Sequence, residues 1–172
     1  MKQQNFVLLV VEKGEDMTFF TVSLFGHREM NDLRRLENQL LPIIKELIQT
    51  KSYVSFLVGR NGEFDEYVAS LIKRAQKAVG NENSDITLAL PYKVANLEYY
   101  EKYYDGVVIP ESVYGAHPKA AIALKNRWMV EQSDLVIVHV ERDKGGAYTA
   151  MKYAEKLDKE VINLYLIEET DF

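Results

Sequence analysis

Short runs of apolar and β-branched residues alternate with amphipathic helical patterns along the chain. The runs have few polar interruptions and so predict strands buried on both faces, at residues 18–25, 53–58, 86–90, 107–109, 135–140 and 161–166. Apolar residues at helical spacing lie between them, over residues 33–47, 67–75, 97–104, 119–132 and 147–157. We therefore expect an α/β fold: a doubly wound, mainly parallel sheet with helices on both faces. Pro42 is expected to kink or divide the first helix.

The pattern favours a single domain over residues 17–172, since no internal repeat, low-complexity tract or linker interrupts it. Residues 1–16 have two interpretations. In the first interpretation they are an extension ahead of a natural start at Met17, because residues 13–16 resemble the translation of a purine-rich ribosome-binding sequence. Alternatively, the apolar run at residues 6–11 is an additional edge strand.

Composition narrows the functional classes. The 172-residue chain has no cysteine, which excludes disulfides, thiol nucleophiles and cysteine-ligated zinc. Its three histidines, His27, His117 and His139, are scattered, so we expect no metal site and no cofactor. The net charge of −5 and the thin basic clusters disfavour nucleic acid as a partner. No apolar run reaches the length of a membrane span, and no secretion signal is evident, so we expect a cytoplasmic protein without membrane contact.

Three predicted turns that follow strands carry glycines together with polar residues. They are Gly26-His27-Arg28, the stretch Gly59 to Asp65, and Gly145-Gly146, which Asn126-Arg127 precedes by one strand. Parallel strands end at the same edge of a sheet and ligands bind there at the topological switch point, so we expect one shared site. The candidate ligand-binding residues are Gly26, His27, Arg28, Gly59, Asn61, Gly62, Asp65, Asn126, Arg127, Gly145, Gly146 and Thr149.

These residue types suit a phosphate-bearing ligand. Adjacent glycines at a helix start leave backbone N–H groups free for an anion, and Thr149 lies one turn further on. Arg28 and Arg127 are candidate charge clamps. The alternative interpretation of each is an ordinary solvent-exposed arginine, and Arg127 can form an ion pair with Glu131 on its own helix. Asp65 fits three roles: capping a helix, holding a ribose hydroxyl, or acting as a general base.

A cluster of tyrosines lies around the third predicted strand and the helix after it. It consists of Tyr92, Tyr99, Tyr100, Tyr103 and Tyr104. Aromatic rings can sandwich a base, but they also bury area and form hydrogen bonds through their hydroxyls. We interpret the cluster as packing, or as the self-association surface of a homo-oligomer.

Together the turns resemble the SLOG superfamily, the Rossmann-like domains of the DNA-processing protein DprA and of the cytokinin-activating LOG phosphoribohydrolases. Gly26-His27-Arg28 stands where DprA-like proteins have a Gly-Ser-Arg turn. The stretch Gly59 to Asp65 is similar to their Ser-Gly-x-Ala-x-Gly-Ile-Asp loop, and Lys125-Asn126-Arg127 fits their Arg-Asn-Arg run. Gly145-Gly146 occupies the family's glycine-rich phosphate site. The resemblance covers residues 18–164 and implies a small stand-alone bacterial or phage protein that binds a nucleotide or an ADP-ribose-like ligand.

One departure from the family bears on activity. LOG enzymes carry Pro-Gly-Gly-x-Gly-Thr-x-x-Glu with a catalytic glutamate, and Lys152 stands in that glutamate's place. A lysine cannot supply the carboxylate, so an N-glycosidase would have to use Glu63, Asp65 or Glu131. The resemblance therefore implies ligand binding or sensing as the first hypothesis. Nucleotide N-glycosidic hydrolysis is the second, and a DprA-like DNA-handling role is the third.

Overall fold

Six parallel strands form one sheet in a computed structural model that describes residues 18–168. The strands are β1 (Phe19–Gly26), β2 (Tyr53–Val58), β3 (Ser84–Ala89), β4 (Gly106–Val108), β5 (Leu135–His139) and β6 (Glu160–Asn163). The N-terminal segment, residues 1–16, lies outside the described residues, so both interpretations of it stay predictions.

The strand order creates a switch point beside the first strand. The order across the sheet is β4-β3-β2-β1-β5-β6, and each of its five neighbouring pairs is parallel. The chain thus builds outward from β1 on one side, then returns to build β5 and β6 on the other. Gly26, the last residue of β1, pairs in register with His139, the last residue of β5. A crevice at this edge is where sheets of this kind bind ligands.

Helices cover both faces of the sheet, which confirms the predicted doubly wound α/β class. They are α1 (Leu33–Thr50), α2 (Glu63–Val79), α3 (Leu97–Tyr103), α4 (Pro118–Gln132) and α5 (Gly146–Lys156), with 3-10 turns at Glu111–Val113 and Leu164–Leu166. One apolar core joins α1 and α2 to the sheet, with α3 at its margin, and a second joins α4 and α5 to the opposite face. Among the described residues, no helix is both long and apolar enough to span a bilayer.

The first helix and the last strand differ from the pattern-based expectation. Helix α1 runs through Pro42 and is not divided there, because Pro42 is exposed while the apolar face of the helix stays continuous against the core. The last strand was expected to reach Leu166 but ends at Asn163. The Asn163 side chain bonds to both backbone groups of Val140, at 3.0 Å each, and accepts from the Tyr165 N–H. These bonds turn the chain into a 3-10 conformation.

Candidate functional site

The turn after β1 and the turn before α2 are joined by backbone contacts. A Cβ at Gly26 would overlap the buried Phe64 ring in the first turn of α2, so only glycine fits this close approach. The Glu63 N–H donates to the Arg28 carbonyl at 2.8 Å. The Glu63 carboxylate accepts from the Met30 N–H at 2.7 Å. Glu63 therefore holds two loops together, and Arg28 contributes its backbone while its side chain is exposed.

The conformation of the turn between β2 and α2 is restricted by close contacts and by a hydrogen bond. Gly62 has a φ of 124°, and a Cβ there would lie 2.5 Å from the Arg28 Cα. The Asp65 carboxylate accepts from the Asn61 N–H at 2.8 Å, and it would lie 2.8 Å from a Cβ at Gly59. Asp65 thus closes the turn that precedes α2, and its carboxylate packs closely against Gly59.

Lys125 is the buried cation of this site, and it was absent from the candidate list. It lies in the middle of α4, is only 4% exposed, and its Nζ would be 3.2 Å from a Cβ at Gly59. Within the described part of the chain, its ammonium has no hydrogen bond and no ion pair within 4.0 Å. The signal was present in the sequence. Lys125 is four residues from both Ala121 and Met129, which are buried, so it falls on the inward face of its helix.

The charges around Lys125 are unbalanced. Burial lowers the pKa of Lys125, Asp65 opposes that effect, and Arg60 adds to it. Burial raises the pKa of Asp65, against the opposite effects of Lys125 and of the Asn61 N–H. Among the residues described, the charges of Lys125 and Arg60 thus act beside the Asp65 carboxylate, and Glu66 is a second carboxylate close enough to raise the pKa of Asp65. Such an arrangement favours a bound anion.

Arg60 connects this space to the tyrosines. Its Nη1 donates to the Tyr100 hydroxyl at 3.3 Å, and its guanidinium carbon lies 5.6 Å from the Tyr100 ring centroid. The Arg60 Nε is buried and has no hydrogen-bond partner within residues 18–168. Arg60 is therefore held by Tyr100, and its Nε–H has no hydrogen-bond partner among these residues.

The glycine turn between β5 and α5 is open. Gly145 has a φ of 94°, and nothing lies within 4 Å of a Cβ placed there. Asn126, next to Lys125 on α4, has its amide nitrogen 3.5 Å from a Cβ at Gly146. The Thr149 hydroxyl donates to the Gly145 carbonyl at 3.0 Å, so it is engaged within its own helix.

His27 ties the open turn to β1. Its Nε2 accepts from the Glu141 N–H at 3.1 Å, which requires that nitrogen to be unprotonated. Burial lowers the pKa of His27, Arg142 lowers it further, and Glu141 opposes both. The structure thus gathers the three predicted turns, with Lys125 and Asn126 beside two of them.

Two candidate residues lie elsewhere. The exposed Arg127 places its guanidinium carbon 5.4 Å from the ring centroid of Tyr153 on α5. Glu131 accepts from the Tyr153 hydroxyl at 2.7 Å and lies in the last turn of α4, at the opposite edge of the sheet. Lys152, in the place of the LOG glutamate, pairs with Glu155 at 2.8 Å on the exposed face of α5. Of the three candidate carboxylates, Asp65 is the one whose charge acts on Lys125.

The sheet, its switch point and the three turns define a Rossmann-like α/β domain. Its fold is similar to DprA from Streptococcus pneumoniae (TM-score 0.58, 15% identity, 83% of this chain and 49% of that one). It is also similar to DprA from Helicobacter pylori, whose structure was described for its single-stranded DNA binding mode (TM-score 0.53, 16% identity, 83% and 63%). The chain thus spans about half of the first protein and under two thirds of the second. No family model and no curated protein matches the sequence. The expected likeness to DprA is confirmed at the level of the fold.

Proposed function

We propose that this chain binds a small nucleotide-derived ligand at the carboxyl edge of its sheet. The observation that carries the proposal is Lys125: the residue as a whole is 4% exposed, and its ammonium, which keeps some contact with solvent, has no hydrogen-bond partner in residues 18–168. A charged group that loses most of its contact with water is costly to the fold unless a partner of opposite charge compensates it. A phosphate between Lys125 and Arg60 supplies both the missing negative charge and the missing acceptors.

The neighbouring groups suit the rest of such a ligand. Gly145 and Gly146 present the N-terminus of α5 beside Asn126, which favours a second anionic group. Asn61 and Asp65 line the first turn, and their polar side chains can hold ribose hydroxyls. Arg28 is exposed at the same edge and is available as an outer clamp.

Binding is favoured over N-glycosidic cleavage. A hydrolase needs a carboxylate free to take or give a proton. The Glu63 carboxylate bonds to the Met30 N–H, Glu131 lies at the other edge, and Lys152 faces solvent. Asp65 alone remains, and it already accepts from the Asn61 N–H. Hydrolysis is therefore the second candidate, with Asp65 as its general acid or base.

A long nucleic acid suits this edge less well than a small ligand. The fold resembles that of a protein described as binding single-stranded DNA. Strand binding needs a basic stripe along the phosphate backbone. The loops at this edge carry positive and negative side chains together. The positive residues are Arg28, Arg60, Lys93, Arg142 and Lys144, and the negative residues are Glu29, Asp32, Glu111, Glu141 and Asp143. We therefore infer a ligand of mononucleotide or dinucleotide size.

Thermal shift over mononucleotides, dinucleotides, ADP-ribose and short oligonucleotides tests this proposal. A bound ligand raises Tm by mass action, by about 2.7 kcal/mol of stability at one hundred times Kd. We expect Lys125→Met to lose the shift because it removes the buried charge. The matched control Arg127→Met, on the same helix, should keep it because Arg127 lies over Tyr153.

The outcomes separate the candidates. No shift across the panel, or an unchanged shift in Lys125→Met, contradicts the proposed nucleotide site. A shift with oligonucleotides alone favours the DNA-handling alternative. Chromatography of the incubated ligand then distinguishes binding from cleavage, because a hydrolase releases free base.

A further inference from the structure

The five tyrosines differ in exposure: Tyr92 and Tyr99 are exposed, Tyr100 and Tyr103 are partly exposed, and Tyr104 is buried. Tyr103 and Tyr104 pack inward: the Lys73 ammonium lies 3.8 Å from the Tyr103 ring centroid, and Tyr104 is buried against the core. Tyr99, in contrast, is 63% exposed although its ring is large and apolar. An exposed aromatic ring of this size beside a binding site commonly serves as a contact surface.

Tyr99 connects to the anion site through a short series of contacts. The Tyr99 and Tyr100 rings pair edge to face, with centroids 5.4 Å apart and planes at 81°. Tyr100 in turn holds Arg60 through its hydroxyl and its ring. Arg60 directly follows Gly59, where a Cβ would lie 3.2 Å from the Lys125 Nζ, and its charge acts on Lys125. A continuous series of aromatic and guanidinium groups therefore runs outward from the buried charge to the exposed ring.

We propose that Tyr99, Tyr100 and Arg60 form a base-recognition wall, so that the ligand carries a planar aromatic base as well as its anionic group. This inference rests on the proposed anion site and adds the chemistry of the ligand's other end. Tyrosine rings and the planar guanidinium both stack on bases. Arg60 stands between the two parts, and its buried Nε has no hydrogen-bond partner within residues 18–168. Such a wall distinguishes a nucleotide from a sugar phosphate.

Titration calorimetry on the full chain, with the four common ribonucleoside 5′-monophosphates and ribose 5-phosphate as probes, tests the wall. We expect at least one nucleotide to bind about fivefold or more tightly than ribose 5-phosphate, as one stacked base provides. Tyr99→Ala should remove that advantage and leave the affinity for ribose 5-phosphate unchanged. Tyr99→Phe should keep it, because the stacking ring remains.

The control is Tyr165→Ala, which removes another exposed tyrosine, 42% accessible and located after β6. It should leave every affinity unchanged. Equal affinity for ribose 5-phosphate and all nucleotides overturns the wall while the anion site stands. Unchanged nucleotide affinity in Tyr99→Ala, or equal loss for both probe classes, also overturns it. If no probe binds, the proposed anion site fails and the wall fails with it.

Discussion

Two glycine turns begin helices at the same edge of this sheet, yet they are built in opposite ways. Gly62 starts α2 and Gly145 starts α5, both with positive φ and neither with a side-chain cap. The turn at Gly62 is enclosed by the Arg28 backbone and by the Asp65 carboxylate. The turn at Gly145 is open, and every residue from 141 to 146 is exposed.

This difference in enclosure means that the turn at Gly62 is a preorganised part of the proposed site, whereas the turn at Gly145 is an adjustable part. Around Gly62 the Arg28 backbone and the Asp65 carboxylate are fixed by hydrogen bonds, and Lys125 is packed beside them, so an anion at the proposed site would meet groups already in place. Around Gly145 the bond from the Glu141 N–H to His27 and the neighbouring Asn126 are the nearby anchors. A loop with few buried contacts can move toward a ligand at low cost. We expect the first turn to set affinity and the second to adapt to the ligand's size.

Alanine at each N-cap glycine gives the largest expected contrast. Gly62→Ala combines an unfavourable φ with a Cβ 2.5 Å from the Arg28 Cα, so we expect about 3–5 kcal/mol of lost stability. Gly145→Ala carries the φ penalty without a clash, so its loss should be about 1–2 kcal/mol. Urea unfolding of both variants measures the difference. Equal losses would show that the two turns are equally enclosed.

Removing the Asp65 carboxylate tests whether the first turn depends on its buried charges. Asp65→Ala leaves Lys125 buried without its counter-charge and frees the Asn61 N–H, so we expect a loss of about 3 kcal/mol in urea unfolding. The double variant Asp65→Ala/Lys125→Met should recover part of that loss. If Asp65→Ala is neutral and the double variant is no better, the charges do not organise this turn.

Sequence patterns predicted the fold closely because strand burial and helix periodicity are local signals. The apolar runs located all six described strands, and the turn glycines located the edge where they end. The exceptions depended on long-range contacts. Strand β3 begins at Ser84, two residues earlier than expected, and the carboxylate of the buried Asp85 accepts from the Ser55 hydroxyl on β2 and from the Thr87 hydroxyl on its own strand. Such a partner on a neighbouring strand cannot be inferred from one segment.

The site was harder to predict than the fold because residue type does not give side-chain direction. Arg127 and Lys125 are two residues apart on α4, so they face different sides of it. Sequence reasoning chose the arginine for its fork-shaped donors, whereas the lysine is the residue that reaches Gly59. Helical spacing from the buried Met129 would have favoured Lys125. The roles of the twelve candidate residues stay predictions until a ligand is tested.

A smaller effect, confined to the open turn, concerns pH. The unprotonated Nε2 of His27 accepts a hydrogen bond from the Glu141 N–H. Burial lowers the His27 pKa below its usual 6.5; the Arg142 charge lowers this pKa further, and the Glu141 charge raises it. A depressed pKa in the folded state means that stability is fully present above about pH 6.5 and is lost as the pH falls through the folded value. Burial also lowers the pKa of His139 on β5. His139 is unchanged in the parent and in the variant, so it does not affect their comparison.

We expect His27→Gln to flatten the decline of stability between pH 7 and pH 5, because a glutamine carbonyl can accept the same N–H without titrating. As the pH falls through the folded-state pKa of His27, the parent should lose the bond, worth about 1 kcal/mol, and the protection factor of the Glu141 amide, taken relative to intrinsic exchange at the same pH, should fall. His27→Gln should keep that amide protected at both pH values, while the Asn61 amide in the enclosed turn stays protected in both proteins. Parallel pH profiles in parent and variant would mean that His27 does not hold the open turn. The contrast between the two turns would then have to come from their burial alone.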